Sequence, residues 1–316
     1  MVMIIKTRSR FKQAFGLLSD KLKTAVSAIS AETAEEICEL RLRKGRYLTA
    51  VISGKEYFIE RSGKLSRSCE NAAEVTENDI AFTFKAAFRG SVHSFPRELS
   101  EGFITCDGGN RAGFCGTASL TNENGLIVVR EISSVSIRIA HEIKGCAKKL
   151  YDMAFADGLC SLIIASPPCG GKTTILRDLC RMLGNEYKAV LVDERSEIAA
   201  VNKGVPQNDI GLFTDVFNGY PKAETVNIAV RTMSPDVVIC DEIGSANELD
   251  ALFHAADSGV RLICTCHSPS LDDLRKSPAA GELISRGVFD CAAILGTGSL
   301  CGKVIGFRRF DTVNAV

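Results

Sequence analysis

Two glycines followed by a lysine and a threonine suggest phosphate binding in the segment SPPCGGKTT at residues 166–174. Gly171, Lys172 and Thr173 match the end of the phosphate-loop pattern G-x-x-x-x-G-K-[ST]. In such loops backbone N–H groups and the lysine ammonium contact phosphate oxygens, while the threonine hydroxyl contacts Mg²⁺. Ser166 stands where the pattern has its first glycine, and Pro167 and Pro168 restrict the loop after it to extended geometry. The predicted nucleotide-binding residues are Ser166, Pro167, Pro168, Cys169, Gly170, Gly171, Lys172, Thr173 and Thr174.

Two pairs of carboxylates follow apolar segments downstream of this loop. Asp241 and Glu242 end the apolar run in PDVVICDEIG, and Asp193 and Glu194 end the run in AVLVDERSEI. Ligands of a parallel α/β sheet bind beyond the carboxyl ends of its strands, so both pairs are expected near the loop. Asp241 is suited to hold Mg²⁺ together with Thr173, and Glu242 to orient or deprotonate a water that attacks the γ phosphate. The second pair has the same chemistry, so metal binding and water activation can be divided between the pairs in either way.

Basic side chains could complete a phosphate site of this kind, because phosphoryl transfer needs positive charge near the transferred group. His267 ends the apolar segment LICTCHS, where its imidazole can hydrogen-bond the γ phosphate. Arg231 stands just ahead of the segment PDVVICDEIG, which contains Asp241 and Glu242. Arg111 and Arg138 lie in the N-terminal part of the chain and could reach a site at a domain or subunit boundary.

The elements around these residues follow an alternating pattern. An apolar strand at residues 161–165 precedes the phosphate loop, and a helix with Ile175, Leu179 and Leu183 on one face follows it. Short apolar strands then alternate with helical segments as far as LICTC. This alternation predicts a largely parallel sheet covered by helices.

The N-terminal part has a different pattern. Apolar residues at three- and four-residue steps predict one helix over residues 11–29. Residues 36–59 alternate as paired strands do, Thr76 is a candidate N-cap for a further helix, and residues 102–138 are glycine-rich and strand-like. We therefore predict an α+β domain over residues 1–140 and a second domain over residues 141–316.

The composition excludes several classes of protein. The chain has 38 Lys and Arg residues and 38 Asp and Glu residues. The resulting formal net charge of zero argues against a protein dedicated to coating nucleic acid. No apolar run approaches the roughly 18 residues of a membrane-spanning helix. Thirteen scattered cysteines in a chain of 316 residues favour a reducing cytosol. The first fifty residues are more basic, which predicts either a solvated face or weak attraction to an anionic membrane surface.

Together these segments resemble a known group of proteins. In order, SPPCGGKTT, VDERSEI, RTMSPDVVICDEIG and TCHS are similar to the Walker A loop, acidic box, Walker B strand and histidine box of secretion-type traffic ATPases of type II and type IV systems. In the N-terminal half, LRLRKGRYL, ELSEGFITCDGGNRAGFCGTA and ISSVSIRIAHEIKG resemble the stage III sporulation protein AA family. The resemblance spans about residues 36–310, and it departs from the family at Ser166, where the loop usually begins with glycine.

The resemblance implies a fold, an activity and partners. The expected fold is α/β, with a RecA-like P-loop NTPase core on a parallel sheet, preceded by a smaller α+β N-terminal domain. The expected protein is a cytoplasmic homo-hexameric ATPase that uses ATP and Mg²⁺. It would bind no nucleic acid and would be peripheral at the membrane, through integral membrane components of a sporulation channel between mother cell and forespore. The resemblance assigns Lys172 and Thr173 to nucleotide and Mg²⁺, Glu242 and Glu194 to water activation, and Arg231 and His267 to the surroundings of the γ phosphate.

Two other functions remain open at this point. One is a structural ring that binds ATP in order to assemble and hydrolyses little of it, an alternative that Ser166 keeps in consideration. The other is a nucleic-acid motor of the same nucleotide-binding class. The zero net charge and the lack of an aromatic and basic binding segment count against this motor.

Overall fold

The computed structural model describes residues 10–91, 99, 102–120, 127–244 and 246–310. These residues form two compact units. The first contains the described residues as far as Glu142 together with Asn202–Gln207, and the second contains Ile143–Val201 and the described residues from Asn208 onwards. Within the described ranges, no helix is both long and apolar enough to cross a membrane. The short segment Asn202–Gln207 was not expected in the first unit.

The first unit is built on an antiparallel sheet. Its helices are α1 (Asp20–Ser27), α2 (Ala31–Glu36) and α3 (Glu77–Ala87). Its strands are β1 (Ile37–Arg43), β2 (Arg46–Tyr47), β3 (Thr49–Ile52), β4 (Lys55–Ile59), β5 (Leu65–Ser66), β6 (Glu74–Val75), β7 (Phe103–Thr105), β8 (Arg111–Leu120) and β9 (Ile127–Arg138). The order across the main sheet is β5-β4-β3-β1-β9-β8-β7, with β2 and β6 paired separately. Residues 121–126 of the predicted strand-like stretch lie outside the described residues.

The single helix predicted over residues 11–29 is wrong. Residues 10–14 are helical, Phe15–Leu17 form a 3-10 turn, and Leu18 is extended before α1 begins at Asp20. The break coincides with a long-range contact, because Ser19 takes a non-helical conformation and its hydroxyl donates to the Asp79 carboxylate at 2.5 Å. The apolar periodicity still identifies the buried face, since Phe11, Leu18 and Leu22 belong to the core.

The second unit is built on a mostly parallel sheet. Its helices are α4 (Lys148–Ala154), α5 (Lys172–Leu183), α6 (Lys222–Met233), α7 (Ala246–Asp257), α8 (Leu271–Lys276) and α9 (Pro278–Ser285). Its strands are β10 (Leu162–Ser166), β11 (Ala189–Asp193), β12 (Thr214–Asn218), β13 (Val237–Cys240), β14 (Arg261–His267), β15 (Cys291–Leu295) and β16 (Val304–Arg309). The order is β12-β11-β13-β14-β10-β15-β16, and only the pairing of β15 with β16 is antiparallel.

Helices cover both faces of this sheet. Successive strand residues point to opposite faces, so Ile164 packs in one core with α5, whereas Ile163 packs in another with α6, α7 and α9. Burial on both faces explains why these strands are continuous apolar runs in the sequence. The predicted fold class, an α/β core with a parallel sheet after an α+β N-terminal part, is therefore confirmed.

The start of α3 gives a prediction about stability and pH. Thr76 is the N-cap as predicted, and it forms a capping box with Asp79. Burial would raise the pKa of Asp79, but hydrogen bonds from Ser19 and Thr76 outweigh burial and lower the pKa below its usual value of 3.8. A carboxylate with a lowered folded pKa stabilises the fold above its usual pKa, and this contribution is lost as the pH falls through the lowered pKa.

We predict that Asp79→Asn costs about 1–2 kcal/mol at neutral pH and progressively less below about pH 4. Hydrogen exchange of peptides covering α3 reports this loss directly. Glu77→Gln is the matched control, because Glu77 lies in the same helical turn but is exposed and forms a surface ion pair with Lys44. Equal effects of the two substitutions, or a loss from Asp79→Asn that does not change with pH, would contradict the role assigned to Asp79.

Candidate functional site

The phosphate loop connects β10 to α5 in a compact turn. Ser166 is the last residue of β10, is fully buried, and donates its hydroxyl to the carbonyl of Pro167 at 2.8 Å. Gly170 packs directly on this side chain, since a Cβ at Gly170 would lie 2.2 Å from Ser166 Oγ. Gly171 has φ 85° and forms the N-cap of α5, which begins at Lys172. The serine at the first loop position is thus accommodated by the glycine that follows four residues later.

Lys172 carries a buried ammonium group with no carboxylate partner. The residue is 8% exposed, and its Nζ lies 3.3 Å from the carbonyl oxygen of Ser166 and 3.1 Å from Nδ1 of His267. Among the described residues, no carboxylate lies within ion-pair distance of this Nζ. Burial lowers the pKa of Lys172, while the charges of Asp241 and Glu242 oppose that shift. A cation held in this way favours an anion as its missing partner.

Thr173 and Asp241 meet at the start of α5. The Thr173 hydroxyl donates to Asp241 Oδ2 at 3.4 Å, and the fully buried Thr265 hydroxyl donates to Asp241 Oδ1. A hydroxyl and a carboxylate side by side are oxygen ligands of the kind that Mg²⁺ accepts beside a nucleotide phosphate. The two residues predicted to hold Mg²⁺ are therefore adjacent and chemically suited to it.

Glu242 is held between two basic side chains. Its Oε1 lies 3.2 Å from His267 Nε2, and its Oε2 lies 3.4 Å from Arg195 Nη1. Its backbone has φ 42°, a left-handed conformation that is rarely adopted by residues other than glycine. Because His267 also contacts Lys172, a continuous line of polar contacts runs from the phosphate loop through His267 and Glu242 to Arg195.

Asp193 and Glu194, which follow one another at the end of β11, have different surroundings. Asp193 is 2% exposed and accepts the backbone N–H groups of residues 197, 198 and 199 at 2.8–3.1 Å. Burial raises the pKa of Asp193, and the three N–H groups counteract that shift. Asp193 thus organises the loop after β11, while Glu194 lines a cavity with Arg195.

This cavity, of about 440 Å³, lies at the carboxyl ends of β11, β13 and β14. Its lining includes Glu194, Arg195, Lys222, Asp241, Glu242 and His267. The phosphate loop adjoins it, because Lys172 contacts His267 and Thr173 contacts Asp241. Glu194, Asp241, Glu242 and His267 are therefore brought together with the two loop residues that carry functional side chains.

Other predicted residues are not among those that line this cavity. Arg231 is on the exposed C-terminal part of α6, where its Nε donates to the carbonyl of Asn227. Arg111 and Arg138 pair across β8 and β9 of the first unit, and the Arg111 guanidinium lies 4.5 Å from the centre of the Phe103 ring. In the loop itself Pro168 and Cys169 are exposed, whereas Pro167 and Thr174 are half-buried.

Three residues of the site were missed by the sequence reasoning. Arg195 directly follows the predicted carboxylates Asp193 and Glu194 in the segment VDERSEI. Its positive charge beside them could have identified it as a candidate site residue. Thr265 lies two residues before His267 on β14. Strand alternation could have indicated that the two side chains point to the same face of the sheet. Lys222 is the first residue of α6, and this helix separates it from β13 and Glu242 in the sequence. No motif spacing connects the two residues.

Comparisons with known proteins show which family and which fold the chain resembles. A family model described as "Sporulation stage III, protein AA" matches residues 8–312. The stage III sporulation protein AA of Bacillus subtilis (strain 168) is 34% identical over 280 residues, which cover 87% of each chain. The solved structure of the Legionella pneumophila ATPase DotB has a TM-score of 0.51 at 13% identity, covering 87% of this chain and 74% of that chain. The pilus retraction motor PilT with bound ADP has a TM-score of 0.52 at 15% identity, covering 82% and 74%.

The contact between Ser166 and Gly170 gives a prediction about the loop. Gly170→Ala should destabilise the second unit by about 1–3 kcal/mol, because the new methyl group overlaps Ser166 Oγ and Cβ. Ser166→Gly removes both atoms, so the double variant should recover most of this loss. Urea unfolding of the three variants measures the effect. A double variant as unstable as Gly170→Ala would contradict the packing described here.

Proposed function

Because the chain belongs to the sporulation stage III, protein AA family, we propose that it is a Mg²⁺-dependent ATPase that converts ATP and water to ADP and phosphate. The observation that carries this proposal is the buried Lys172 ammonium without a carboxylate partner among the described residues. It lies at the start of α5, where free backbone N–H groups and the helix dipole also favour an anion. A nucleotide phosphate supplies the negative charge that this position lacks.

The side chains around Lys172 suit the hydrolysis of that phosphate. Lys172 would neutralise the β and γ phosphates, and the Glu242 carboxylate would orient the attacking water and accept its proton. His267, between Lys172 and Glu242, would donate a hydrogen bond to the γ phosphate. Glu194 is a second carboxylate in the same cavity and the alternative group for water activation.

Magnesium fits the oxygen ligands at the start of α5. Thr173 and Asp241 would hold it, directly or through water. When bound, it would neutralise charge that develops on the phosphate oxygens. The Thr265 hydroxyl fixes the orientation of the Asp241 carboxylate and leaves its other oxygen facing Thr173.

The wider role we propose is that of a secretion-type motor. The similarity of the fold to the ATPase DotB and the pilus retraction motor PilT supports a motor core. Similarity to a stage III sporulation protein supports work on a channel complex between mother cell and forespore. In this proposal the chain forms a homo-hexamer in the cytoplasm and docks on integral membrane components of the channel. Arg231, exposed on α6, would then be available to the nucleotide of a neighbouring subunit.

A structural ring that binds ATP but hydrolyses little of it is the second candidate. The observation that favours it is that Arg195 and His267 each contact one carboxylate oxygen of Glu242, because these contacts compete with the use of that carboxylate as a base. Turnover by the purified chain distinguishes this candidate from the motor.

We predict that Lys172→Ala weakens ATP binding by about 100-fold or more, because the substitution removes the buried ammonium group that we propose contacts the phosphates. Glu242→Gln should keep the affinity within a few-fold and lose most turnover, since the side chain keeps its shape but no longer accepts a proton. Equilibrium titration with a fluorescent ATP analogue and steady-state phosphate release measure the two effects.

Glu282→Gln is a control for the second variant, because Glu282 is exposed on α9, forms a surface ion pair with Arg286 at 3.9 Å and does not line the cavity. Unchanged ATP affinity in Lys172→Ala would remove the basis of the proposed site. Normal turnover in Glu242→Gln would transfer water activation to Glu194. ATP-dependent assembly without any turnover in the unmodified chain would favour the structural ring.

A further inference from the structure

Lys222 is a buried charge that the proposed mechanism does not use. The residue is 7% exposed and is the first residue of α6, where the helix dipole is unfavourable for a cation. Burial and the dipole both oppose a lysine at this position, so local contacts must compensate for them. Its Nζ donates to the backbone carbonyl oxygen of Glu242 at 2.5 Å and lies 3.6 Å from Glu248 Oε1.

These contacts belong to a wider set that holds the turn after β13. The N–H of Glu242 donates to Thr265 Oγ1 at 2.8 Å, and the N–H of Ile243 donates to the Thr265 carbonyl at 2.8 Å. The N–H of Gly244 donates to Glu248 Oε2 at 2.9 Å. Glu248 therefore contacts both Lys222 and the turn, and three successive N–H groups and one carbonyl of the turn have partners.

The turn needs such partners because of the backbone conformation of Glu242. A φ of 42° costs on the order of 1 kcal/mol or more for a residue with a Cβ and persists only where the surroundings enforce it. The carbonyl of Glu242 is the group whose direction changes if this residue relaxes to an ordinary conformation. Relaxation would also move the Glu242 carboxylate away from His267 and Arg195, since the side chain leaves from the same Cα.

We propose that Lys222 is a positioning residue for Glu242: through the carbonyl of Glu242 it holds the strained turn that aims the carboxylate into the cavity. This role rests on the proposed ATPase function. Lys222 acts from the backbone side of Glu242, and Glu248 keeps its ammonium in place. The nucleotide itself is bound by the loop at Lys172, which is not among the contacts of Lys222. Loss of Lys222 should therefore impair hydrolysis more than binding.

The test compares three variants of the full-length chain. Lys222→Met keeps the length of the side chain and removes the ammonium, and Lys222→Arg restores a donor and a charge. Lys188→Met is the matched control, because Lys188 Nζ also contacts a carbonyl, that of Ser234 at 3.1 Å, and a carboxylate, that of Asp236 at 3.6 Å. Lys188 is exposed and does not line the cavity.

For Lys222→Met we expect kcat to fall about 10- to 100-fold, as a displaced catalytic group does, with KM and the affinity for an ATP analogue changed less than about threefold. Lys222→Arg should recover part of kcat, and Lys188→Met should match the unmodified chain. Adding Lys222→Met to Glu242→Gln should cause little further loss, because both changes remove the function of the same carboxylate. Unchanged kcat, or weakened binding at unchanged kcat, would overturn the positioning role.

A second readout needs no hydrolysis. His267 Nε2 contacts the Glu242 carboxylate, so the ring signal of His267 in NMR spectra, recorded without added nucleotide, reports where that carboxylate is. Lys222→Met should move this signal in the same direction as Glu242→Gln does, and Lys188→Met should leave it in place. A signal that moves in a chain without turnover would retain the positioning role while the ATPase proposal fails. An unmoved signal would overturn the role whatever the turnover.

Discussion

The parallel register of β10, β13 and β14 is the constraint on which the site depends. Ser166 is opposite His267 across β10 and β14, and Cys240 is opposite Cys264 across β13 and β14. All three strands therefore end at one edge of the sheet, with the phosphate loop, the acidic turn and the histidine next to one another. A shift of one residue in either pairing would turn these side chains to opposite faces and separate them.

The polar side chains at this edge contact one another in a chain. The Lys172 ammonium contacts His267, His267 contacts the Glu242 carboxylate, and Arg195 contacts its other oxygen. A nucleotide phosphate competes for the same cations, so its binding would release Glu242 from at least one of them. The turn that carries Glu242 is fixed independently from its backbone side by Thr265 and Lys222. We therefore expect the backbone to stay in place while the side chain exchanges partners.

The sequence predicted the parts of this arrangement that depend on local pattern. Apolar runs identified the strands, and the spacing of Gly171 and Lys172 identified the loop. It did not distinguish Asp193 from Asp241, because the same Asp-Glu pattern does not reveal that the Asp193 carboxylate accepts three backbone N–H groups. The break at Ser19 and the role of Lys222 also escaped it, since each depends on a contact between residues far apart in the chain.

A crystal structure of the chain with Mg²⁺ and a non-hydrolysable ATP analogue would test the proposed nucleotide site most directly. We predict that Lys172 Nζ leaves His267 and contacts the β and γ phosphates, that Mg²⁺ lies beside Thr173 and Asp241, and that Glu242 faces the γ phosphate. An analogue bound elsewhere, or a Lys172 ammonium that stays on His267 with the analogue bound, would contradict this prediction.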